Sequence, residues 1–330
     1  MSQTRPSDDS ESITKPTRPT HRKTRFVCIS DTHNASPRDG AFKLPAGDVL
    51  IHAGDLTNQG SLSELRKTVA WLEEADFEAK IVVAGNHDIT LDHPFYARHG
   101  HLSHNQHPQN AHACLSLLTS SKSLTYLSHS TAKITLTSPS KPRTTFTIFG
   151  SPHTPTTTTT DPTYAFGYAP HPSTAATTLW NAIPSNVDVV VTHTPPRGHC
   201  DRRSATQGGG AGCEGLRRAL WRARAGLVVC GHVHEGRGVE IVRWGEGEVE
   251  GEEVETVGWV DPGMGKGKVS LVDLTRDGIG VGEGGGGRVR GETCVVNAAI
   301  VARSHGKGPK RFNKPIVVDV DLPVCDDGDE

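Results

Sequence analysis

Four short apolar runs in this chain end in residue types that bind metals: Asp31-Thr32-His33, Gly54-Asp55, Gly85-Asn86-His87-Asp88 and Gly231-His232-Val233-His234. A fifth run, Val187 to Thr192, ends at His193. Together they offer three oxygen donors (Asp31, Asp55, Asn86) and four imidazoles (His33, His193, His232, His234). That mixture suits Mn, Fe or Zn better than Ca or Mg, which prefer oxygen alone. These donors are too many for one tetrahedral ion. Two ions about 3.5–4 Å apart that share a carboxylate would use them all, an arrangement that clamps a phosphoryl group during in-line displacement. A lone Gly-Asp or Asp-x-His is ordinary turn chemistry, so the information lies in the ordered set.

For the donors to meet, the runs must be strands whose carboxyl ends face one crevice, as in open α/β sheets. The hydrophobic pattern supplies such a rhythm: strands at 26–29, 49–51 and 81–83, with a helix over 63–75. A His- and Asn-rich segment at 99–112 reads as a polar loop and 112–120 as a helix, followed by two strands at 124–137 and 144–149 that pair as a hairpin. Further on come a helix at 174–182, a buried strand at 187–191, a helix at 213–225 and a strand at 227–230. Strands at 294–301 and 316–320 bring the chain back to finish a sheet.

The 330 residues are 34% hydrophobic and include 36 Gly and 21 Pro, so the folded part is smaller than the chain. A formal charge of -2 removes the electrostatic case for a dedicated nucleic-acid surface. No apolar stretch approaches the ~18 residues of a membrane span, and the N-terminus lacks the apolar core of a signal peptide. A cytoplasmic protein without membrane contact is the expectation, the nucleus being equally compatible. Seven scattered cysteines without a C-x-x-C spacing fit reduced thiols and give no cysteine zinc site.

The ordered pattern D-x-H, G-D, G-N-H-D, H, G-H-x-H resembles the calcineurin-like metallophosphoesterases over roughly 25–240 and again over 293–322. Thr192-His193-Thr194-Pro195-Pro196, Gly212-Cys213-Glu214, His232-Val233-His234-Glu235-Gly236, Gly150-Ser151-Pro152 and Val296-Asn297-Ala298-Ala299 look similar to its metallophosphoesterase-domain-containing (239FB-like) branch. Vertebrate members of that branch can carry Gly at the first His of the last motif; this chain retains His232. The resemblance implies an α/β fold, a four-layer α/β/β/α sandwich of two mixed sheets with the metals at the strand ends. It implies that Asp31, His33, Asp55 and His234 hold one divalent ion and Asp55, Asn86, His193 and His232 the other, with Asp55 as bridge. A hydroxide shared by the ions would be the nucleophile. His87 would face the phosphate and aid the leaving oxygen, with Asp88 orienting its ring; Arg197 and His199 rank lower as substrate contacts.

The expected layout is a disordered leader at 1–24, a metallophosphoesterase domain at 25–322 with low-complexity insertions at about 245–257 and 278–291, and an acidic tail at 323–330. The expected function is hydrolysis of a small phosphodiester or phosphomonoester, a nucleotide among the candidates. The alternatives are a nucleotide-binding or scaffold protein with an idle site, or a Ser/Thr phosphoprotein phosphatase. Other features read blandly. His93, His99, His101, His104, His107 and His112 have irregular spacing and suit a solvated loop. Gly282 to Gly287 lacks the G-K-[ST] of a phosphate loop and reads as a linker, and Thr156 to Thr160 as a loop. Arg217, Arg218, Arg222 and Arg224 form the solvated face of an amphipathic helix.

Overall fold

A computed structural model describes residues 21–156, 163–169, 174–202, 210–247, 250–264, 268–275, 291–303 and 310–325. In chain order the elements are β1 (His21–Ile29), β2 (Val49–Ala53), α1 (Leu62–Glu74), β3 (Ala79–Val83), α2 (His93–His104), α3 (Ala111–Thr119), β4 (Thr125–Tyr126), β5 (Ser130–Thr135) and β6 (Thr145–Ser151). There follow β7 (Thr154–Pro155), β8 (Gly167–Tyr168), α4 (Thr174–Trp180), β9 (Val189–Thr192), α5 (Glu214–Ala223) and β10 (Leu227–Cys230). The described chain closes with β11 (Gly238–Trp244), β12 (Glu253–Gly258), β13 (Ser270–Asp273), β14 (Glu292–Asn297) and β15 (Ile316–Pro323).

Two mixed sheets pack face to face. The first runs β13-β15-β1-β2-β3-β4, the second β12-β11-β14-β10-β9-β6-β5. Alternate side chains of both, among them Phe26, Cys28, Ile51, Ile81, Ile148, Val191, Val229 and Val296, fill one core between the sheets. The opposite side chains of the first sheet, such as Val27, Leu50 and Val82, meet Leu65, Val69 and Leu72 of α1 and Cys114 and Leu118 of α3. Those of the second, such as Val190, Val228 and Val295, meet Leu216, Ala219, Leu220 and Ala223 of α5. Strands buried on both faces must be apolar throughout, which is why the motif strands are unbroken Val/Ile/Leu runs and not alternating ones. The result is the expected four-layer α/β/β/α sandwich.

The helices that flank the sheets start where their sequence dictates. Ser61 caps α1, and Glu64 returns a bond to the Ser61 amide, a complete capping box. Leu65, Val69 and Leu72 then recur at helical spacing toward the sheet, and cutting Leu72 back to Ala would cost about 2–5 kcal/mol. In α5 the same spacing of Leu216, Ala219, Leu220 and Ala223 produces the buried stripe, while Arg217 and Arg218 pair with Glu214.

Four expectations are corrected. The stretch 99–112 is not a loop: α2 runs to His104, started by Asp92 accepting from the Phe95 amide at 3.0 Å, with Pro94 in its first turn. Its histidines hide the helical period because few of its residues are buried. The strand at 124–137 is two strands, β4 parallel to β3 in one sheet and β5 antiparallel to β6 in the other. The break is at His129, whose φ of 54° turns the chain between sheets. Residues 21–24 belong to β1, which pairs with β15 from His21 onward. The Glu-rich segment at 245–257 is no simple solvated insertion, since β12 extends the second sheet and Arg243 pairs with Glu255 at 2.7 Å. It is exposed on both faces, so it carries no apolar signal. Residues 1–20, most of the Thr run, the Gly-rich stretch up to 290 and the tail at 326–330 lie outside the described residues.

Candidate metal centre

β1, β2 and β3 are parallel neighbours in one sheet, and β9 and β10 in the other, so their carboxyl ends emerge on one rim. Backbone bonds fix this rim: the Ser30 amide crosses between the sheets to Ala298 O at 2.9 Å, while Asp31 donates to Gly54 O at 2.9 Å within the first sheet and Gly231 to His193 O at 3.0 Å within the second. At the rim the backbone reverses sharply. Asp31 (φ 51°), His33 (φ 43°), Asp55 (φ 52°) and His232 (φ 63°) all adopt left-handed conformations that cost of order 1–3 kcal/mol each. Such strain persists only where the surroundings over-determine it, and here it swings four of the expected ligands into one crevice. Gly54 at φ 101° is required, because a Cβ there would lie 2.4 Å from His193 Nδ1.

The seven expected ligands converge. Donor atoms of Asp31, His33 and His234 lie within 4.8 Å of one another, as do those of Asp31, Asp55 and His193, and of His33, Asp55 and His87. His234 Nε2 is 3.2 Å from Asp31 Oδ1 and 3.3 Å from His33 Nε2. Asp55 reaches both halves, with Oδ2 at 3.8 Å from His33 Nε2 and Oδ1 at 3.4 Å from His193 Nε2. Asn86 Oδ1 stands 2.9 Å from both His193 Nε2 and His232 Nδ1. These are spacings of neighbouring donors around ions with metal–donor bonds of about 2.0–2.2 Å.

Two of the rings have their second nitrogen engaged outside the crevice: His193 Nδ1–H donates to Ala53 O at 2.9 Å and His33 Nδ1–H to Thr57 O at 3.3 Å, so each turns Nε2 toward the crevice. His232 also donates its backbone N–H to the Asp31 carboxylate at 3.0 Å.

Electrostatics favour a cation. Burial works to raise both Asp31 and Asp55, but the neighbouring imidazoles, His234 for the first and His193 for the second, hold both carboxylates below the usual range. Burial pushes His33 down to about 4 and His232 down to about 3, so both are neutral ligands at pH 7. His193 goes the other way: burial opposes its charge, yet the Asp55 carboxylate beside it lifts it to about 9. Two buried carboxylates, an amide oxygen and four imidazoles thus form a donor set that fits divalent metal.

His87 and Asp88 separate in role. The His87 amide donates to Asp55 Oδ1 at 2.8 Å, its Nδ1–H donates to Asn58 O at 2.8 Å, and a ring nitrogen lies within 4.8 Å of donor atoms of His33 and Asp55. Asp88 does not orient that ring, contrary to expectation. Its buried carboxylate accepts from the amides of Leu56, Thr57 and Gly85 and from the Thr57 hydroxyl at 2.7 Å, stitching the Gly-Asp loop to the Gly-Asn-His-Asp loop. Burial, and then the Asp55 charge, push it up to about 7 against those bonds. Arg197 is exposed at the end of the His193 segment. His199 is buried with Nδ1 3.1 Å from Glu240 Oε2 and Nε2 3.4 Å from Glu253 Oε1, so it braces the β11–β12 hairpin and its ring is not free for substrate.

Three residues that support the site had no role assigned from the sequence. Asn297 Nδ2 donates to Val233 O at 2.8 Å and Cys200 O at 3.0 Å, holding the loop between His232 and His234. His52 Nε2 lies 2.9 Å from the Thr32 hydroxyl, under the Asp31–His33 turn. Asn58 offers only a carbonyl, which no side-chain pattern reveals.

A family model described as calcineurin-like phosphoesterase matches residues 24–236. A protein named probable rhamnogalacturonate lyase C from Emericella nidulans is 39% identical over 222 residues, 67% of this chain but 18% of its own length. Human metallophosphoesterase domain-containing protein 1 is 37% identical over 223 residues, 66% of this chain and 62% of its own length. The matched stretch therefore spans less than two thirds of either relative. Among solved structures, purple acid phosphatase PPD1 from yellow lupin aligns at a TM-score of 0.40 with 12% identity, covering 88% of this chain and 46% of that one.

Proposed function

Given that this chain belongs to the calcineurin-like phosphoesterase family, we propose that it is a two-metal phosphoesterase acting on a small phosphodiester or phosphomonoester such as a nucleotide. Asp31, His33, Asp55 and His234 hold one ion and Asp55, Asn86, His193 and His232 the other, drawn from Mn, Fe or Zn. The observation that carries this reading is Asp55, whose two oxygens address His193 on one side and His33 on the other. Bound there, the ions would polarise the phosphoryl oxygens and acidify water near neutral pH.

The chain's own residues do the rest. His87 gives a proton from Nε2 to the leaving oxygen while Nδ1 stays on Asn58 O, so the ring need not turn. Asp55 holds the His87 amide and thereby sets the distance between proton and ester. The Asp88 bonds keep both loops in register during the cycle. The intact His232 supports turnover over an idle site. Seven cysteines, all free and buried, suit a reducing compartment such as the cytosol. Among the described residues no helix is long and apolar enough to cross a membrane.

The test is the rate of bis(p-nitrophenyl) phosphate hydrolysis as Mn2+ is titrated into metal-stripped protein, with Asp55→Asn as control. A Mn2+-dependent rate that Asp55→Asn abolishes together with metal content is expected. A flat rate with manganese bound, and no activity on monoesters, would favour a binding protein with an idle site.

A further inference from the structure

Among the large apolar side chains exposed in the described residues, Tyr164 is the sole aromatic, at 37% exposure. Its ring lies 5.1 Å from that of His87, tilted by 59°, and His87 in turn stands edge-on to His33 at 4.8 Å. The chain on its C-terminal side is clamped to the loop that carries the site. Ala165 is fully buried and its amide donates to Asn86 O at 3.0 Å. The Phe166 amide donates to Asp92 Oδ2 at 2.9 Å, and Phe166 accepts a left-handed φ of 56° to bury its own ring. A burial-driven sequence would put the tyrosine inside; here Ala165 and Phe166 are inside and Tyr164 is held at the surface, beside the group assigned to the leaving oxygen. The other partner of the His87 ring, Asn58, carries Lys310 Nζ at 3.4 Å from its Oδ1, so a cation also serves this rim.

We propose that Tyr164 is a specificity-determining residue, the surface on which a flat aromatic ring in the leaving portion of the substrate stacks. This rests on the phosphoesterase reading above and narrows it to esters whose alcohol carries an aromatic ring, a class that includes aryl esters and nucleobase-bearing esters. An offset or tilted aromatic pair at 4.5–7 Å is favourable beyond its area, and a rigidly held ring gives that contact without ordering cost.

The experiment measures binding of phenylphosphonate and methylphosphonate, neither of which can be hydrolysed, to the full-length Mn2+-loaded protein and to Tyr164→Ala and Tyr164→Phe. The wild type is expected to prefer the phenyl compound. Tyr164→Ala should lower that preference roughly three- to tenfold with methylphosphonate affinity and manganese content unchanged, and Tyr164→Phe should keep it. Equal affinity for the two phosphonates in the wild type, failure of phenylphosphonate to bind, or an unchanged preference in Tyr164→Ala overturns the proposal. So does an equal loss for both probes, which would make Tyr164 a support for His87 alone. Preference for phenyl that Tyr164→Ala removes, without hydrolysis of any ester, would sink the enzyme reading and leave Tyr164 only as the surface that selects an aromatic phosphate-bearing ligand.

Discussion

Asp55 Oδ1 accepts the backbone N–H of His87 at 2.8 Å, so the carboxylate that faces both groups of metal donors also carries the residue assigned to the leaving oxygen. Disturbing one displaces the other. A change at Asp55 is therefore expected to be more damaging than loss of a single ligand, whereas a change to the His87 side chain leaves the amide bond in place.

That asymmetry makes His87→Ala informative. Metal content should be unchanged, while hydrolysis of an alkyl ester falls by about 10²–10⁴-fold. p-Nitrophenyl esters should suffer much less, because nitrophenolate departs without a proton. Equal losses on both leaving groups would argue against proton transfer at Nε2.

Asp88→Asn probes the correction to its expected role. An amide cannot accept from all four donors now aimed at the carboxylate, so thermal unfolding should show a loss of about 1–3 kcal/mol. Manganese affinity should weaken roughly 10–100-fold, as for groups that support ligands. In excess Mn2+ the rate should recover to within about tenfold of wild type; a rate that stays down with the site filled would return Asp88 to a role in positioning His87.

The metal-free centre has a definite proton inventory. At pH 6, His193 is charged because the Asp55 carboxylate lifts it to about 9 against burial, Asp31 holds His234 above its usual value against burial, and burial keeps His33 and His232 neutral. Metal uptake should release protons at that pH, measurable by calorimetry in buffers of different ionisation enthalpy. The sign for stability follows from His193, raised in the fold to about 9: its contribution is complete below 6.5 and is lost as pH rises through 9. The metal-free protein should therefore melt earlier as pH climbs from 6.5 to 9, and the manganese-loaded protein should not share that decline.

Gly231→Ala tests close packing behind the last motif. A Cβ there would sit 2.0 Å from Ser30 Oγ and 2.2 Å from Asp31 Oδ2, so Asp31 must move. Manganese binding should fall at least tenfold even though no ligand is altered. Unchanged affinity would show that Asp31 has freedom the packing denies it.

The strands that carry the ligands were legible because burial on two faces leaves an unbroken apolar run, as in Leu227, Val228 and Val229 or in Val49, Leu50 and Ile51. The clustering of the candidate donors was legible because each run stops at one of them. Elements without a buried stripe were not: α2 buries little beyond Gly100 and His104, and β12 is exposed almost throughout. Nor could the sequence reading find Asn58, which acts through its backbone, or Asp88's true partners, which are amides brought from a distant loop. Tyr164 was silent because its placement depends on the buried Ala165 and Phe166 beside it.

β1 lies between β2 and β15, and Arg25 grips the buried Asp319 through two bonds of 2.7 Å. The turn after β1 is finished only when Val301 N–H reaches Asp31 O. During synthesis on the ribosome, then, the turn that carries Asp31 and His33 lacks one flanking strand until nearly the whole described chain has been translated. A nascent chain stalled after the His232–His234 loop would display every ligand and yet leave an open sheet edge for chaperones to shield, so acquisition of metal should be a late, post-translational event.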